Sequence, residues 1–309
     1  MYHKTLAIIA LTICTITGFC QNVLTYEYAV KDTSHLKMDV YVPEKQNPNH
    51  PCMIYCFGGG FLFGSRSNSH MKEFQKYYNS RGWIVIAIDY RQGLVNYKNL
   101  TIASGAGKYK RAIEMAGEDL LSATNYILKN LLETPQFTIN PSYIVTVGSS
   151  AGAITVLQAD YFLANRMHGG ELLPDTFRYA AVMSFSGAIL TDNGKVKYRC
   201  HAPAPTLFCH GNKDHYVEYG QIWDFNLSLY GSKKLVKRFQ KFHYPYYFRC
   251  YEGMGHEVAG YYRKEIILMD EFIREFVYNK KFLQINESYY DPSLPQIECL
   301  HIRPRDMRK

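Results

Sequence analysis

Ser150 is the residue whose surroundings most strongly indicate covalent chemistry. It is the centre of GSSAG at residues 148–152, which matches the pattern G-x-S-x-G. An apolar run at 143–147 precedes this pattern and a helical pattern follows it. A strand that turns sharply into a helix here exposes the central hydroxyl at the edge of a sheet. The context predicts a nucleophile at Ser150; the alternatives are a Gly/Ser-rich turn and a nucleophile at Ser149.

Three consecutive glycines end another apolar stretch. The sequence FGGGF occupies residues 57–61, after an apolar run that begins at Cys52. Such glycines let backbone N–H groups face a cavity, where they can stabilise the negative oxygen of a tetrahedral intermediate. The amide of Ala151, which follows Ser150 directly, supplies a further donor. The alternative is a flexible hairpin, which leaves the downstream serine unexplained.

A candidate acid and a candidate base follow two further predicted strands. Asp214 lies in the loop after the strand predicted at 206–209, and His256 in the loop after the strand at 247–251. Because the carboxyl ends of parallel strands meet at one edge of a sheet, we expect both beside Ser150. In a Ser-Asp-His triad the histidine takes the serine proton and the aspartate orients the histidine.

Three other histidines are alternative bases. His210 and His215 flank Asp214 on its own loop, and His243 precedes the last of these strands. We expect a structural, surface or pocket-lining role for the first two. His243 lies at the wrong end of its strand, so the sequence favours His256.

The elements that must position these residues alternate between strands and helices. Alternation of apolar and polar residues predicts two strands, at 23–29 and 36–42. Continuous apolar runs predict strands covered on both faces, at residues 52–57, 83–88, 143–147, 180–185, 206–209 and 247–251. Helices are predicted at residues 71–80, 111–132, 151–164, 220–230 and 264–278. The order predicts an α/β fold, a mostly parallel central sheet with helices on both faces, in one domain over residues 21–309.

These motifs together resemble the α/β-hydrolases of the hormone-sensitive-lipase-like and carbohydrate-esterase group over about residues 23–278. They stand in that family's order: GGG at 58–60, DYR at 89–91, GSSAG at 148–152, HGNKD at 210–214 and GH at 255–256. The resemblance implies ester hydrolysis without a metal or organic cofactor. It implies that Ser150, Asp214 and His256 form a catalytic triad. It also implies that Gly59, Gly60 and Ala151 form the oxyanion hole.

Phe57 departs from the family pattern, which usually has histidine before the three glycines. That histidine organises the glycine loop by hydrogen bonding, which phenylalanine cannot do. The backbone donors survive the change. We therefore expect retained chemistry with different loop packing and a different acyl preference.

The composition is that of a globular protein with a core. Of 309 residues, 47% are hydrophobic and 20% are charged, which excludes disorder, collagen-like repeats and coiled coil as the main content. The formal charge of +8 is spread over the chain. The basic clusters lie in no nucleic-acid-binding motif, so no nucleic-acid partner is predicted.

The first twenty residues have the layout of an export signal. A positive segment at 3–4 precedes an apolar segment at 6–16, and the small residues Gly18 and Cys20 precede a cut before Gln21. The apolar segment is too short to span a bilayer. We predict a signal peptide over residues 1–20 and a secreted or periplasmic protein. The alternatives are a buried N-terminal element and a lipid anchor on Cys20.

Six cysteines remain after residue 20, and an even number in an exported chain permits disulfides. Cys52, Cys56 and Cys209 lie in apolar runs and are predicted to be buried. The pairing stays open. No CxxC or HxxxH pattern occurs, so no metal site is predicted.

The segments between the predicted strands bear on the substrate. The gap at 186–204 is short for a large lid, so we expect an open site with 93–110 as its mobile rim. An exported enzyme with an open site fits acetyl or feruloyl esters of carbohydrate, or short-chain esters. The alternatives are a prolyl-oligopeptidase-type serine peptidase and a non-catalytic binding protein on the same fold. The oligomeric state and the role of residues 282–309 stay open.

Overall fold

The computed structural model describes residues 23–97, 102–192, 194–224 and 227–293. Twelve strands occur in these ranges: β1 (Val23–Lys31), β2 (Ser34–Tyr41), β3 (Cys52–Cys56), β4 (Ile84–Ile88), β5 (Ile144–Ser149), β6 (Ala181–Phe185), β7 (Ala188–Thr191), β8 (Thr206–Gly211), β9 (Gln221–Asp224), β10 (Leu227–Gly231), β11 (Tyr246–Tyr251) and β12 (Gln284–Tyr289).

Nine of these strands form the central sheet, in the order β1-β2-β4-β3-β5-β6-β8-β11-β12. The pairs β1–β2 and β2–β4 are antiparallel, and all the other neighbours are parallel. Every residue of β3, β4, β5 and β6 is buried. Continuous apolar runs form such strands because both faces of the sheet are covered. The predicted mostly parallel sheet is confirmed.

Helices connect the strands. The α-helices are α1 (Ser69–Ser80), α2 (Ile102–Asn130), α3 (Ala151–Asn165), α4 (Ser232–Lys241) and α5 (Ile266–Phe272). Three 3-10 helices occupy Pro141–Tyr143, Gly170–Leu172 and His256–Arg263, and a π-helix at Ile273–Tyr278 continues α5. Helix α2 begins nine residues before the predicted start at residue 111, so residues 102–110 of the predicted rim at 93–110 are helical.

The predicted helix at 220–230 is wrong. This segment contains β9 and β10, which pair antiparallel with each other, and β10 pairs in turn with β7. The three strands form a second small sheet in the order β7-β10-β9. The physical reason is the pairing of β10 with both β7 and β9, because Ile222 and Trp223 are adjacent and Gln221–Asp224 by itself has no period of two.

The chain after α5 extends the central sheet. Strand β12 pairs in parallel with β11 and lies outside the range of the family resemblance.

The predicted export signal at 1–20 and the last cysteine, Cys299, fall outside the described residues. The five cysteines that are described are all free, and Cys52, Cys56 and Cys209 are buried as predicted. Among the described helices, none combines the length and the hydropathy needed to cross a bilayer.

Candidate active site

Ser150 lies at the sharp turn between β5 and α3. Its backbone angles are φ 54° and ψ −118°, which side-chain-bearing residues rarely adopt. The N–H of Ser150 donates to the carbonyl oxygen of Phe185 at 2.9 Å, which ties the turn to β6. Strain of this kind persists only where the surroundings impose it, and it concentrates at functional residues. The first turn of α3 directs its N–H groups towards the serine and favours negative charge there.

Glycines on both sides of Ser150 allow the turn to pack against its neighbours. A Cβ atom on Gly148 would lie 2.1 Å from the carbonyl oxygen of Gly152. A Cβ atom on Gly152 would lie 2.0 Å from the carbonyl oxygen of Cys56. Both distances are far below van der Waals contact, so only glycine fits at either position.

Three polar side chains form a continuous hydrogen-bonded chain at this turn. The Oγ of Ser150 lies 2.8 Å from Nε2 of His256, and Nδ1 of His256 lies 2.8 Å from Oδ2 of Asp214. A carboxylate only accepts hydrogen bonds, so Nδ1 carries the proton and Nε2 is free to accept one. The structure thus brings together Ser150, Asp214 and His256, in a geometry that can deprotonate the serine hydroxyl.

The carboxylate of Asp214 accepts hydrogen bonds at both oxygens. Oδ1 accepts from the backbone N–H of Tyr216 at 2.9 Å and of Val217 at 3.0 Å. Oδ2 accepts from His256 and lies 3.3 Å from Nε2 of His210. Burial acts to raise the pKa of Asp214, but the hydrogen bonds from His210 and His256 outweigh it and hold this pKa well below its usual range. Asp214 is therefore ionised at neutral pH.

His210 is fully buried behind Asp214, at the end of β8. Its Nε2 lies 3.0 Å from the carbonyl oxygen of Val217, and its Nδ1 lies 2.8 Å from Oγ of Ser232 on α4. Of the structural, surface and pocket-lining roles that the sequence permits, the structure gives His210 a structural position against the carboxylate. The other two rivals, His215 and His243, are exposed.

Ser149 uses its hydroxyl for a different contact. Its Oγ donates to the carbonyl oxygen of Ala259 at 2.6 Å, within the 3-10 helix that begins at His256. The bond links the nucleophile turn to the segment that carries the histidine. Since the Ser149 hydroxyl is occupied and the Ser150 hydroxyl faces His256, the geometry favours Ser150 as the nucleophile.

The glycine run after β3 lies beside Ser150. Gly59, Gly60 and Ala151 line the same cavity as Ser150 and His256. Gly59 has φ +133°, and a Cβ atom there would lie 1.9 Å from the carbonyl oxygen of Phe63, so this tight turn requires glycine. The carbonyl of Gly59 accepts from the N–H of Phe63 at 3.1 Å, which closes the turn.

Phe57 is held by an aromatic neighbour. Its ring stacks on that of Tyr90 with centroids 4.4 Å apart, and the Tyr90 hydroxyl donates to the Phe57 carbonyl at 2.6 Å. Tyr90 also packs edge-on against Phe61, at the other end of the glycine run. Tyr90 of the DYR sequence thus fixes both ends of the glycine loop, which was not foreseen from the sequence.

A cavity of about 680 Å³ opens beside Ser150. Its walls are mainly apolar and come from the glycine loop, α2, α3, the loop after β8 and the small β7-β10-β9 sheet: Phe61, Leu62, Phe63, Tyr109, Ile113, Ile154, Leu190, Val217, Ile222 and Leu229. The small sheet, which the sequence did not predict, thus forms one wall of the cavity. Over the described residues, no group of three or more His, Cys, Asp or Glu is arranged to hold a metal ion.

Known proteins share both sequence and fold with this chain. Residues 38–189 match the family model described as BD-FAE. Over 123 residues the chain is 28% identical to gut esterase 1 of Caenorhabditis briggsae, a match that covers 40% of this chain and 20% of that protein. The aligned region thus spans a fifth of the length of this relative.

Solved structures resemble this chain over most of its length. Thermogutta terrifontis esterase 2, phosphoramylated by tabun, superposes with a TM-score of 0.60 at 20% identity, over 82% of this chain and 94% of that one. The butyrate-bound form of the same esterase gives a TM-score of 0.57 at 19% identity, over 82% and 94%. At this level of identity the likeness establishes the α/β-hydrolase fold.

Proposed function

We propose that this chain, which has the α/β-hydrolase fold and matches the BD-FAE model over residues 38–189, is a serine esterase with Ser150, His256 and Asp214 as its triad. One observation carries the proposal. The Ser150 hydroxyl, the His256 ring and the Asp214 carboxylate are joined by two hydrogen bonds of 2.8 Å beside a glycine loop. The order of the three residues along the chain is that of α/β-hydrolases.

The reaction begins when the Oγ of Ser150 attacks the carbonyl carbon of an ester and Nε2 of His256 accepts its proton. The Asp214 carboxylate keeps Nδ1 protonated and stabilises the imidazolium that forms. The backbone N–H groups of Gly59, Gly60 and Ala151 stabilise the negative oxygen of the tetrahedral intermediate. His256 then gives its proton to the leaving alcohol.

The second half of the reaction uses the same groups. Water attacks the acyl-enzyme while His256 accepts one of its protons. The carboxylic acid leaves when the Ser150 oxygen recovers its proton from His256. Every proton moves between substrate, water, Ser150 and His256, so the cycle needs no cofactor.

For the substrate, we propose acyl esters of carbohydrate, with acetyl or feruloyl groups, or short-chain esters. The support is the esterase names of the related proteins and the family resemblance.

We further propose that the protein is exported after cleavage between Cys20 and Gln21. Amino-terminal sequencing of the secreted protein tests this, and a mature chain that retains residues 1–20 contradicts it.

Active-site labelling tests the esterase proposal. A fluorophosphonate is expected to modify one serine per chain, in the tryptic peptide that contains Ser150, and p-nitrophenyl acetate is expected to give a burst of p-nitrophenol. The Ser150→Ala variant should lose both signals and keep the circular dichroism of the wild type. A folded wild-type protein that gives neither signal would be a binding protein, and cleavage of peptide substrates alone would indicate a peptidase.

A further inference from the structure

Helix α4 exposes a face made mainly of lysine. Its sequence over Ser232–Lys241 is SKKLVKRFQK, which contains basic residues and no acidic residue. The helix buries its apolar residues at 235, 236 and 239, so Lys233, Lys234, Lys237 and Lys241 stay exposed on the other side. We call these four lysines the basic face.

The charges of the basic face are unfavourable for the helix itself. Lys237 lies four residues from both Lys233 and Lys241, a spacing at which like charges repel. Lys233 and Lys234 lie in the first turn, where the helix dipole disfavours positive charge. Among the residues that the structure describes, no ion pair includes any of the four lysines. The basic face therefore carries charge that the fold does not neutralise.

A groove of about 340 Å³ extends this positive surface beside the end of α4. Lys197 and Arg199, from the segment after β7, line the groove together with Arg238 of α4. Arg238 joins the two elements, because its Nε donates to the carbonyl oxygen of Val196 at 2.9 Å. Within the described part of the chain, no carboxylate lines this groove. The groove and the basic face thus form one surface that attracts anions.

The aromatic residues of the groove pack against one another. The Arg238 guanidinium lies 4.5 Å from the centroid of the Phe242 ring, and this ring stacks on Tyr244 with centroids 6.0 Å apart. Tyr244 packs edge-on against Tyr198 at 5.6 Å. Single-stranded nucleic acids bind by stacking their bases on open aromatic rings. Because these rings are engaged within the protein, the groove offers cations rather than a stacking site for bases.

The composition of the exposed side of α4 does not match that of a membrane-binding helix. Helices that lie on a bilayer present large apolar residues together with their lysines. The exposed side of α4 carries Gln240 and the basic face, and the exposed ring of Phe242 lies beyond the last helical residue. The surface therefore suits a water-soluble polyanion.

The basic face begins close to the mouth of the Ser150 cavity. The Nζ of Lys233 lies 5.6 Å from the centroid of the Tyr219 ring. Tyr219 follows Tyr216 by three residues, which span at most about 11 Å. Tyr216 is 59% exposed, lines the Ser150 cavity and has its ring 5.5 Å from that of His256. From there α4 extends for about 15 Å.

We propose that the basic face and the groove bind a polysaccharide that carries carboxylate groups, and hold it beside the active site. The choice of a polysaccharide among polyanions rests on the proposed hydrolysis of carbohydrate esters. The binding itself needs no ester hydrolysis. Ammonium and guanidinium groups pair with carboxylates along the polymer, and acyl esters of the same polymer enter the cavity beside Tyr216.

Polymer binding by the Ser150→Ala variant is the first test, because this variant leaves esters intact. Isothermal titration calorimetry is expected to show binding to polygalacturonate that weakens as the salt concentration rises, and no binding to neutral arabinoxylan. Equal binding to both polymers, or no binding to polygalacturonate at low salt, overturns the proposal. Tighter binding to a single-stranded oligonucleotide or to phosphatidylglycerol vesicles assigns the surface to another class of ligand and also overturns it.

A triple variant shows whether the basic face makes the contacts. Combining Lys233→Gln, Lys237→Gln and Lys241→Gln should weaken binding to polygalacturonate by roughly tenfold, since three exposed ion pairs are lost. Without polymer, this variant should unfold at or above the wild-type temperature, because the repulsion along the helix is relieved. Wild-type affinity contradicts the proposal. A clear loss of stability would assign the lysines to folding and contradicts it as well.

A matched variant controls for net charge. Combining Lys72→Gln and Lys76→Gln on α1 with Lys129→Gln on α2 removes the same charge from exposed positions outside the basic face. Its affinity for polygalacturonate should stay within about twofold of the wild type. Equal losses in the two triple variants would show an effect of overall charge and overturn the proposal.

The groove is tested separately, together with the link to catalysis. The double variant Lys197→Gln, Arg199→Gln should weaken polygalacturonate binding by roughly fivefold, and unchanged affinity contradicts a role for the groove. In the Ser150-containing protein, these changes should raise KM for acetylated polygalacturonate and leave kcat/KM for p-nitrophenyl acetate unchanged. Hydrolysis of p-nitrophenyl acetate without polymer binding defeats only this inference. Polymer binding without hydrolysis of any ester defeats only the proposed function.

Discussion

Nε2 of His210 lies 3.3 Å from Oδ2 of Asp214, the oxygen that also accepts from Nδ1 of His256 at 2.8 Å. Two imidazole rings therefore approach one carboxylate oxygen from different elements. The Val217 carbonyl, 3.0 Å from Nε2 of His210, can only accept a hydrogen bond. Nε2 of His210 must therefore carry a proton, and this N–H lies within reach of both the Val217 carbonyl and Oδ2 of Asp214.

His210 is expected to act as a positioning residue for Asp214. His210→Leu removes the donor and should lower kcat by about tenfold with little change in KM, since a hydrogen bond to a charged group contributes roughly 1.5–3 kcal/mol. The acid limb of the kcat/KM profile should move to higher pH, because a carboxylate with one donor fewer attracts the Nδ1 proton of His256 more strongly.

A conservative variant separates this role from packing. The groups that face His210 are Asp214, the Val217 carbonyl, the Tyr219 ring at 5.5 Å and the Ser232 hydroxyl, and all of them remain in both variants. His210→Gln keeps an N–H donor and should recover most of kcat and the wild-type pH profile. A His210→Leu profile that lies at the wild-type pH, despite a lower kcat, would reduce the role of His210 to packing.

Ser150→Ala should lower ester hydrolysis by about 10⁴-fold or more, leaving only the contribution of binding and the oxyanion donors. Ser149→Ala, which loses only the bond to the Ala259 carbonyl, should retain a measurable burst of p-nitrophenol. Steady-state rates of the two variants, measured side by side, decide between the two hydroxyls. The reverse order of activities would make Ser149 the nucleophile.

Asp214→Asn should lower kcat by about 10⁴-fold, as an asparagine permits the wrong tautomer of the histidine ring. KM should change little, because Asp214 is buried behind His256 and lies outside the cavity lining. Stopped-flow measurement of the acylation rate checks this. A loss below about tenfold would show that another acid supports His256.

Tyr90→Phe should lower kcat by about tenfold while the protein stays folded. The change keeps the stacking on Phe57 but removes the 2.6 Å hydrogen bond to its carbonyl, so the glycine amides are held less firmly. Tyr28→Phe is the matched control, since the Tyr28 hydroxyl also donates to a backbone carbonyl, that of Asp89. Equal kinetic losses in both variants would contradict a specific role for Tyr90.

Asp160 is expected to make the free energy of unfolding depend on pH. This buried side chain on α3 accepts from the N–H of Ala204, and burial, only partly offset by that bond and by Arg178, raises its pKa to about 7. The unfolded chain ionises near pH 3.9, so between about pH 4 and 7 the folded state holds a proton that the unfolded state has lost. The free energy of unfolding should therefore fall as the pH rises through this window, and then level off.

Asp160→Asn removes this dependence. About three pKa units correspond to at most about 4 kcal/mol, so the variant should gain stability relative to wild type by up to that amount between pH 4 and 8. Urea unfolding of both proteins at several pH values measures the difference. Parallel curves for the two proteins would show that Asp160 does not titrate in this window.

The sequence by itself determined the features that depend on local pattern. GSSAG at 148–152 follows a continuous apolar run and precedes a helix, so the turn at Ser150 could be predicted from residues within about ten positions. Asp214 and His256 follow predicted parallel strands, and the carboxyl ends of such strands share one sheet edge. That rule alone predicts that Ser150, Asp214 and His256 lie close together.

The features that depend on contacts between distant elements were decided only by the tertiary structure. The segment at 220–230 has apolar residues that fit a helix or two strands, and the pairing of β10 with β7 and β9 selects the strands. The sequence alone makes His210 one of several alternatives to His256, because the role of His210 depends on its contacts with α4 and with the loop at Val217. Short apolar periods and single polar residues are ambiguous along the chain, and it is packing against distant neighbours that removes the ambiguity.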